Sequence, residues 1–263
     1  MGSLLDEYGA FIIDLDGVVY LLDDPIPGSA LAINHLQEAG VPFVFLTNNS
    51  SSTAKQYVRK LQRFGLTVEQ DRIVTSSQAV ARYLDGKTEG RRAFVIGEEG
   101  LTSELKPLGM ELVGAVAASR VDYVIVGWDR EFDFNKLKAA VLAIRDGAHF
   151  IATNADATYP TPEGLWPGAG SIVAAVSTGS GQVPVVVGKP NPLIVQIALD
   201  RMASGPKGTL LIGDRLDTDI LSGIAAGIDT LLVLTGVSTP EEVNETGIRP
   251  THVRDSLSAM LNG

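Results

Sequence analysis

Short apolar segments recur along this chain, and helical patterns separate them. Several of these segments are continuously apolar, as strands are when both faces of a parallel sheet are buried. The alternation of strand and helix predicts an α/β fold with a mainly parallel sheet. The predicted strands are Ala10–Ile13, Pro42–Leu46, Ala93–Ile96, Tyr123–Val126, Phe150–Ala152, Val185–Val187, Thr209–Ile212 and Thr230–Leu234.

Four segments between the strands carry helical periodicity and end signals. Glycine follows the first three closely, and the fourth begins with a proline, which is favoured in the first turn of a helix. The predicted helices are Ser29–Ala39, Thr53–Phe64, Asn135–Arg145 and Pro192–Met202.

Composition restricts the class of protein. The chain has 263 residues, of which 45% are hydrophobic and 20% charged, so it can bury a substantial core. It has no cysteine, which excludes a thiol nucleophile and cysteine-bound zinc. Its net charge of −10 disfavours nucleic acid as a partner. We find no secretory signal or membrane span and expect a cytoplasmic protein.

The most informative segment is the first predicted strand, which runs into Asp14-Leu15-Asp16-Gly17. Open α/β sheets bind ligands at the carboxyl ends of their strands, where Asp14 would lie. Two carboxylates this close repel each other unless they share a proton or a cation, and Mg²⁺ suits such oxygen ligands. The segment alone is equally compatible with an Asp-rich turn.

Three later segments also place polar residues just after a predicted strand. Thr47 and Asn48 could hold phosphate oxygens or cap the following helix. Lys189 could neutralise a phosphate, although most lysines are simply exposed. Asp214 and Asp219 follow a third strand, and helix capping does not readily explain all the aspartates of that segment.

Taken together in chain order, these segments resemble the motifs of the haloacid dehalogenase superfamily of phosphohydrolases. The resemblance implies a Rossmann-like parallel-sheet core with helices on both faces. Dehalogenases of that superfamily lack an acid at the position of Asp16, and its ion-pumping ATPases carry threonine there. Asp16 therefore points to phosphatase or phosphomutase chemistry. The residues that carry the resemblance are Asp14, Asp16, Thr47, Lys189, Asp214 and Asp219.

The resemblance also implies a role for each residue. Asp14 is expected to be the nucleophile that forms an aspartyl-phosphate, and Asp16 the general acid and base. Mg²⁺ is expected to be held by the carboxylates of Asp14 and Asp214 and the backbone carbonyl of Asp16. The remaining expectations are phosphate binding by Thr47 and Asn48, charge neutralisation by Lys189, and orientation of Lys189 or metal-bound water by Asp219.

The chain between Thr47 and Lys189 is far longer than one crossover needs, so we predict an inserted domain. We assign residues 1–76 and 180–263 to the catalytic core and residues 77–179 to an α/β cap. An insertion at this point resembles the large-capped type IIA branch, which includes 4-nitrophenylphosphatases and nucleotide phosphatases. Asn154 and Asp156 are candidate substrate-binding residues of the cap, although they could equally build a turn.

The predicted function is Mg²⁺-dependent hydrolysis of a small phosphorylated metabolite, without nucleic acid or membrane partners. Some relatives associate through the cap, so a homodimer is one option that the sequence does not decide. Three alternatives stay open. They are a phosphomutase with the same Asp14 chemistry, a phospho-aspartyl receiver, and a regulator that binds phosphometabolites without turnover.

Overall fold

Two parallel β-sheets form the framework of the protein, in a computed structural model that describes residues 3–87 and 90–261. The strands are β1 Ala10–Asp14, β2 Tyr20–Leu21, β3 Asp24–Pro25, β4 Phe43–Thr47, β5 Ile73–Thr75, β6 Arg92–Ile96, β7 Glu111–Val113, β8 Tyr123–Val126, β9 His149–Ala152, β10 Thr158–Thr161, β11 Gly164–Pro167, β12 Val185–Val186, β13 Thr209–Gly213, β14 Asp229–Val233 and β15 His252–Arg254.

The α-helices are α1 Leu4–Glu7, α2 Ser29–Glu38, α3 Ala54–Arg63, α4 Ser76–Leu84, α5 Glu99–Leu105, α6 Phe134–Arg145, α7 Ala169–Ser180, α8 Pro192–Met202, α9 Leu221–Ala226 and α10 Pro240–Thr246. Short 3₁₀ segments occur at Gln70–Arg72, Lys106–Leu108, Ala115–Ala117 and Leu257–Leu261, and a π-helical turn at Leu216–Ile220.

The larger sheet has the order β15-β14-β13-β1-β4-β5, and all its strands are parallel. Successive side chains of a strand point to opposite faces. Phe11 and Ile13 pack with residues of α2 and α3, whereas Ile12 packs on the other side with residues of α4 and α8. Because helices cover both faces, the central strands β1, β4 and β13 are buried throughout and mainly apolar.

The smaller sheet has the order β12-β9-β8-β6-β7 and is also parallel. One face packs against α6 and α7. Residues of the other face, including Ala93 and Ile151, belong to the same apolar cluster as Ile12 and Val44 of the larger sheet. The two sheets are therefore joined by continuous apolar packing.

Two antiparallel hairpins extend from these sheets, β2–β3 after the first strand and β10–β11 within residues 77–179, which are called the inserted region below. The predicted strands and helices agree with the structure to within a residue or two at their ends, and the predicted α/β class is confirmed. The short strands β5, β7 and β15 and both hairpins were not predicted.

The assignment of residues 77–179 to a cap stays a prediction. Val185 and Val186 pair with Ile151 and Ala152 of the smaller sheet. The boundary at residue 180 therefore separates β12 from the sheet with which it pairs, because an apolar pattern does not tell which sheet a strand joins. Within the described residues, no helix combines the length and apolarity needed to cross a bilayer.

Candidate active site

Three neighbouring strands of the larger sheet end in polar side chains. Asp14 ends β1, Thr47 ends β4, and Asp214 directly follows β13. Since β1 lies parallel between β4 and β13, these residues meet at one edge of the sheet. One cavity at this edge is lined by every predicted site residue, namely Asp14, Asp16, Thr47, Asn48, Asn154, Asp156, Lys189, Asp214 and Asp219.

Lys189 lies between two carboxylates. Its Nζ donates to Asp14 Oδ1 at 2.5 Å and to Asp219 Oδ1 at 2.6 Å, and its side chain is 3% exposed. Burial alone lowers the pKa of Lys189, but the charges of both carboxylates and their hydrogen bonds outweigh burial and raise it. The ammonium therefore stays charged at neutral pH.

The π-helical turn holds Asp219 in place. Arg215 donates its backbone N–H to Asp219 Oδ2 at 3.1 Å, which leaves Oδ1 for Lys189. Such turns are uncommon and often lie at functional sites. Here the turn orients the carboxylate that pairs with the buried lysine.

Asp214 is buried and only partly satisfied. Its Oδ2 accepts a hydrogen bond from the backbone N–H of Val237 at 2.8 Å, and its Oδ1 has no hydrogen-bond partner within the described residues. The backbones of Gly17 and Gly236 press against it, since a Cβ at these positions would lie 2.4 Å and 1.9 Å from Oδ2. Only glycine allows this approach.

Asp14, Asp214 and Asp219 each bring a carboxylate oxygen to within 4.8 Å of the others. Burial, aided by the charge of Asp219, raises the pKa of Asp214 to about 7. Burial also raises the pKa of Asp14, against the influence of Lys189. An orphaned buried oxygen among crowded carboxylates fits a hard divalent cation such as Mg²⁺.

The Asp16 carboxylate accepts hydrogen bonds from one residue of β10 and one residue of β4. Its Oδ1 accepts from the hydroxyl of Tyr159 at 2.6 Å, and its Oδ2 from Thr47 Oγ1 at 3.3 Å. Burial raises the pKa of Asp16, although the bond from Tyr159 and the charges of nearby lysines oppose the increase. Its carboxylate is not part of the three-carboxylate cluster. A metal role for Asp16 thus rests on its backbone carbonyl.

The Asn48 side chain is fully engaged. Its amide nitrogen donates to the Asp156 carboxylate and to the Lys189 carbonyl, each at 3.1 Å. Its amide oxygen accepts from the Lys189 N–H at 2.8 Å. Asn48 therefore fixes the lysine loop against the inserted region, and phosphate binding by its side chain would require these bonds to break.

Asn154 and Asp156 reach the same cavity from the smaller sheet. Asn154 Nδ2 donates to Asp156 Oδ2 at 2.9 Å, and its Oδ1 accepts from Thr153 Oγ1 at 2.7 Å. Burial raises the pKa of Asp156, while the charge of Arg215 opposes the rise. Both candidates from the inserted region thus lie beside the core residues.

Sequence reasoning missed Tyr159 and Arg215 as site residues. Tyr159 lies in β10, and its hydroxyl donates to Asp16. Arg215 bonds to Thr158 of the same strand at 3.3 Å. The hairpin has no Asn-Gly or Asp-Gly pair, but its Pro162-Glu163-Gly164 segment is a turn signal that could have revealed it.

Comparisons with known proteins agree with this arrangement. Residues 11–111 match the haloacid dehalogenase-like hydrolase family model, and residues 186–260 match a second, HAD-hydrolase-like model. A 5′-nucleotidase of Bacillus subtilis is 39% identical over 98% of this chain and 99% of its own length.

Two solved structures are similar throughout. A 4-nitrophenylphosphatase from Thermotoga maritima is 36% identical with a TM-score of 0.90, covering 99% of this chain and 98% of its own. A glycerol phosphate phosphatase from Mycobacterium tuberculosis, in complex with magnesium, is 35% identical with a TM-score of 0.90, covering 100% of this chain and 79% of its own.

A parallel α/β core with clustered carboxylates and a buried lysine, matched along its length to these proteins, defines the class. The chain belongs to the haloacid dehalogenase-like hydrolases. Within them it is a phosphatase of the type IIA branch, which confirms the resemblance drawn from its sequence.

Proposed function

We propose that the chain hydrolyses the phosphate monoester of a small metabolite, with Mg²⁺ and through an aspartyl-phosphate on Asp14. The names of two relatives differ in the alcohol, since one is a nucleotidase and the other a glycerol phosphate phosphatase, but both describe release of a phosphoryl group. The shared chemistry, rather than any one alcohol, is what carries over to this chain.

The observation that carries the proposal is the arrangement around Asp14. Lys189 Nζ lies 2.5 Å from Asp14 Oδ1 and neutralises it, and the nearby buried Oδ1 of Asp214 has no hydrogen-bond partner in the described part of the chain. A carboxylate nucleophile and a phosphate dianion repel each other, so positive charges close to both groups are needed for them to react. Lys189 supplies one such charge, and the carboxylate cluster suits a cation that supplies the other.

In the first step, a carboxylate oxygen of Asp14 attacks phosphorus, and the bond from phosphorus to the ester oxygen breaks. Asp16, whose raised pKa favours its protonated form, gives its proton to that oxygen as the alcohol leaves. Thr47 lies beside Asp16, where its hydroxyl can bind the transferring phosphoryl group.

In the second step, Asp16 takes a proton from water as the water attacks phosphorus, and Asp14 is released with inorganic phosphate. Asp14, Asp214 and the carbonyl of Asp16 would hold Mg²⁺, which neutralises phosphate charge when bound. Asp219 keeps Lys189 directed at Asp14 throughout.

The test is phosphate release from a panel of phosphate esters, measured with Mg²⁺ and with EDTA. The panel contains 4-nitrophenyl phosphate, nucleotides, sugar phosphates, phosphoglycolate and pyridoxal phosphate. We expect Mg²⁺-dependent release that Asp14→Asn abolishes. Asp146→Asn is the control, because Asp146 is exposed and does not line the catalytic cavity.

Two results would contradict the proposal. Release that survives Asp14→Asn would identify another nucleophile. Absence of release from every ester would favour a phosphomutase or a protein that binds phosphometabolites without turnover. Transfer between sugar phosphates, followed by NMR, distinguishes those two.

We further propose that the protein is cytoplasmic. We also propose that it can form a homodimer through the inserted region. Fractionation of cells that produce the protein tests the first. Sedimentation velocity tests the second, since a dimer doubles the mass of 27.8 kDa.

A further inference from the structure

A second cavity adjoins the catalytic one. The catalytic cavity measures about 50 Å³, well below the roughly 300–1,000 Å³ of small-molecule sites. The neighbouring cavity measures about 320 Å³, which is within the range of small-ligand sites. As the two cavities stand, only the second has room for the alcohol part of a phosphorylated metabolite.

The two cavities meet at Tyr159. This residue lines both, together with Asn49 and Trp128, and its hydroxyl bonds to Asp16 at 2.6 Å. Under the proposed function, Asp16 protonates the leaving oxygen. The alcohol part must therefore start beside Asp16, and the second cavity opens beside the ring that contacts Asp16.

The walls of the second cavity are aromatic and basic. The core supplies the β2–β3 hairpin and α3, and the inserted region supplies the ends of β8 and of the β10–β11 hairpin. The wall residues that matter for the argument are Tyr20, Lys60, Arg63, Trp128, Arg130 and Trp166.

Lys60 is the cation in this wall that is least satisfied. Its side chain is 17% exposed, and its Nζ lies 3.7 Å from the centre of the Tyr20 ring. The nearest carboxylate oxygen belongs to Asp23, at 3.9 Å, and no hydrogen-bond acceptor for Nζ occurs among the residues that the structure describes. Nζ thus has a cation–π contact and a distant ion pair but no hydrogen bond from the described residues, which is costly for a largely buried ammonium.

The other basic residues of the wall have closer partners. The guanidinium of Arg63 forms an ion pair with the Asp23 carboxylate at 3.2 Å. The guanidinium of Arg130 donates to both carboxylate oxygens of Glu98, at 2.6 Å and 2.8 Å. The pairing leaves Lys60 as the positive charge that faces the cavity. A negatively charged group entering the cavity would complete its hydrogen bonds.

We propose that this cavity binds the leaving group of the substrate and that Lys60 binds an acidic group on it, a carboxylate or a second phosphate. The inference rests on the proposed function and narrows its substrates to phosphate monoesters whose alcohol is anionic. Lys60 acts in binding, through the anion, and takes no part in the bond-breaking steps.

The test compares kcat/KM for matched esters that differ in this one group. One set is phenyl phosphate, 4-carboxyphenyl phosphate and benzene-1,4-diyl bisphosphate, and a shorter pair is ethyl phosphate and phosphoglycolate. We expect the native protein to prefer an anionic ester in at least one set, and the anion preferred identifies the source of the charge. Lys60→Met should reduce that preference by about 10- to 100-fold, the value of a hydrogen bond to a charged group.

Lys60→Arg keeps the charge and should retain most of the preference. Lys55→Met is the matched control, because Lys55 lies on the same helix with an exposed side chain. The comparison uses a ratio within each variant, so a general loss of active protein cancels. An unchanged ratio in Lys60→Met, or a native protein with no preference for anionic esters, would overturn the inference. Hydrolysis that depends on Asp14 would in either case leave the proposed function standing.

Discussion

Lys189 shows how one residue can serve both the fold and the proposed chemistry. It lies between Asp14 and Asp219 in the interior, where three carboxylates approach one another. Burying any one of these charges without a partner would strongly destabilise the folded state. Removing one partner of a buried ion pair is destabilising for the same reason, because the other charge stays buried and uncompensated. The same contacts direct the ammonium at the proposed nucleophile.

The first prediction concerns this lysine. Lys189→Met should lower the free energy of unfolding by about 3–5 kcal/mol at pH 7.5, because two buried carboxylates lose their partner. The loss of unfolding free energy should be smaller at pH 5, because protonation of Asp14, whose pKa is raised, removes its repulsion with the neighbouring carboxylates. Urea unfolding at both pH values measures the change, with Lys55→Met as the control. A loss below about 1 kcal/mol at pH 7.5 would mean that the pair is not buried as described.

The second prediction concerns Asp214. Its pKa is raised from 3.8 to about 7 in the folded protein, so between these values the folded state holds a proton that the unfolded state has lost. Without a metal, stability should therefore fall as pH rises from about 4 to 7. Mg²⁺ competes with that proton.

The increase in Tm caused by Mg²⁺ should consequently be larger at pH 8 than at pH 5.5, and Asp214→Asn should remove it. Differential scanning fluorimetry with and without Mg²⁺ measures the increase, and Asp146→Asn serves as the control because Asp146 is exposed and outside the catalytic cavity. An increase that is equal at both pH values would argue against Asp214 as a ligand.

At the scale of elements, the loops after β1 and β14 shape the carboxylate site. The loop after β1 brings Gly17 against Asp214 with φ near +87°, which disfavours other residues. The loop after β14 brings Gly236 against the same carboxylate and supplies the Val237 N–H. Both loops follow strands of one sheet, so the strand order determines which loops meet.

The third prediction tests the β14 loop. Gly236→Ala should displace the Asp214 carboxylate, because the added Cβ would lie 1.9 Å from Oδ2. The Mg²⁺ concentration for half-maximal activity should rise by about 10- to 100-fold, as when supporting contacts of a metal ligand are lost. Gly205→Ala is the control, since its Cβ would meet nothing within 4 Å. Equal effects of the two substitutions would contradict this account of the loop.

At the scale of the whole molecule, the inserted region contacts the core at the reacting groups. Tyr159 bonds to Asp16, and Asp156 bonds to Asn48. Ser50 accepts the N–H of Trp128 at 3.2 Å. These contacts therefore set the surroundings of the proposed acid.

The fourth prediction follows from the Tyr159 contact. The hydroxyl of Tyr159 lowers the pKa of Asp16 by stabilising its carboxylate, and burial raises it. Tyr159→Phe should therefore raise the pKa of Asp16 further. The falling, high-pH limb of the kcat/KM profile should move up by as much as about one pH unit, from the loss of one hydrogen bond.

The profile is measured with an alkyl phosphate, which needs a proton on its leaving oxygen. Tyr83→Phe is the control, because Tyr83 lines neither cavity of the site. A limb that stays in place, or moves down, would show that Tyr159 does not act on the proposed acid.

The sequence was sufficient to predict the parallel core and the residues at its strand ends. Long apolar strands and strand-end aspartates leave a strong pattern, so Asp14 and Asp214 could be placed in one site before their distances were known. Lys189 follows β12 of the smaller sheet, so its place beside them came from the family resemblance and not from strand order. Parallel pairing brings the carboxyl ends of neighbouring strands to the same edge of a sheet, so residues that directly follow those strands lie close together.

Features that depend on contacts between the sheets could not be predicted. The bond from Tyr159 to Asp16 joins residues far apart in sequence, and β10 is too short and too ordinary in composition to mark its partner. The engagement of Asn48 by Asp156 has the same origin. The approach of Gly236 to Asp214 lies within the larger sheet, but it depends on the conformation of the loop after β14, which the sequence pattern does not show. Their causes lie in tertiary packing, which no local pattern encodes.

The central claim is covalent chemistry at Asp14, and trapping the intermediate tests it most directly. With 4-nitrophenyl phosphate, departure of the alcohol needs little help from an acid, whereas attack of water still needs a base. An Asp16→Asn variant should therefore complete the first step and stall before the second.

The measurement is rapid mixing of Asp16→Asn with 4-nitrophenyl phosphate and Mg²⁺, followed by acid quench and peptide mass spectrometry. We predict a burst of about one 4-nitrophenolate per protein molecule and a phosphoryl group on the peptide at Asp14. A native protein that turns over the ester, while the variant gives neither a burst nor a phosphorylated Asp14, would contradict the account.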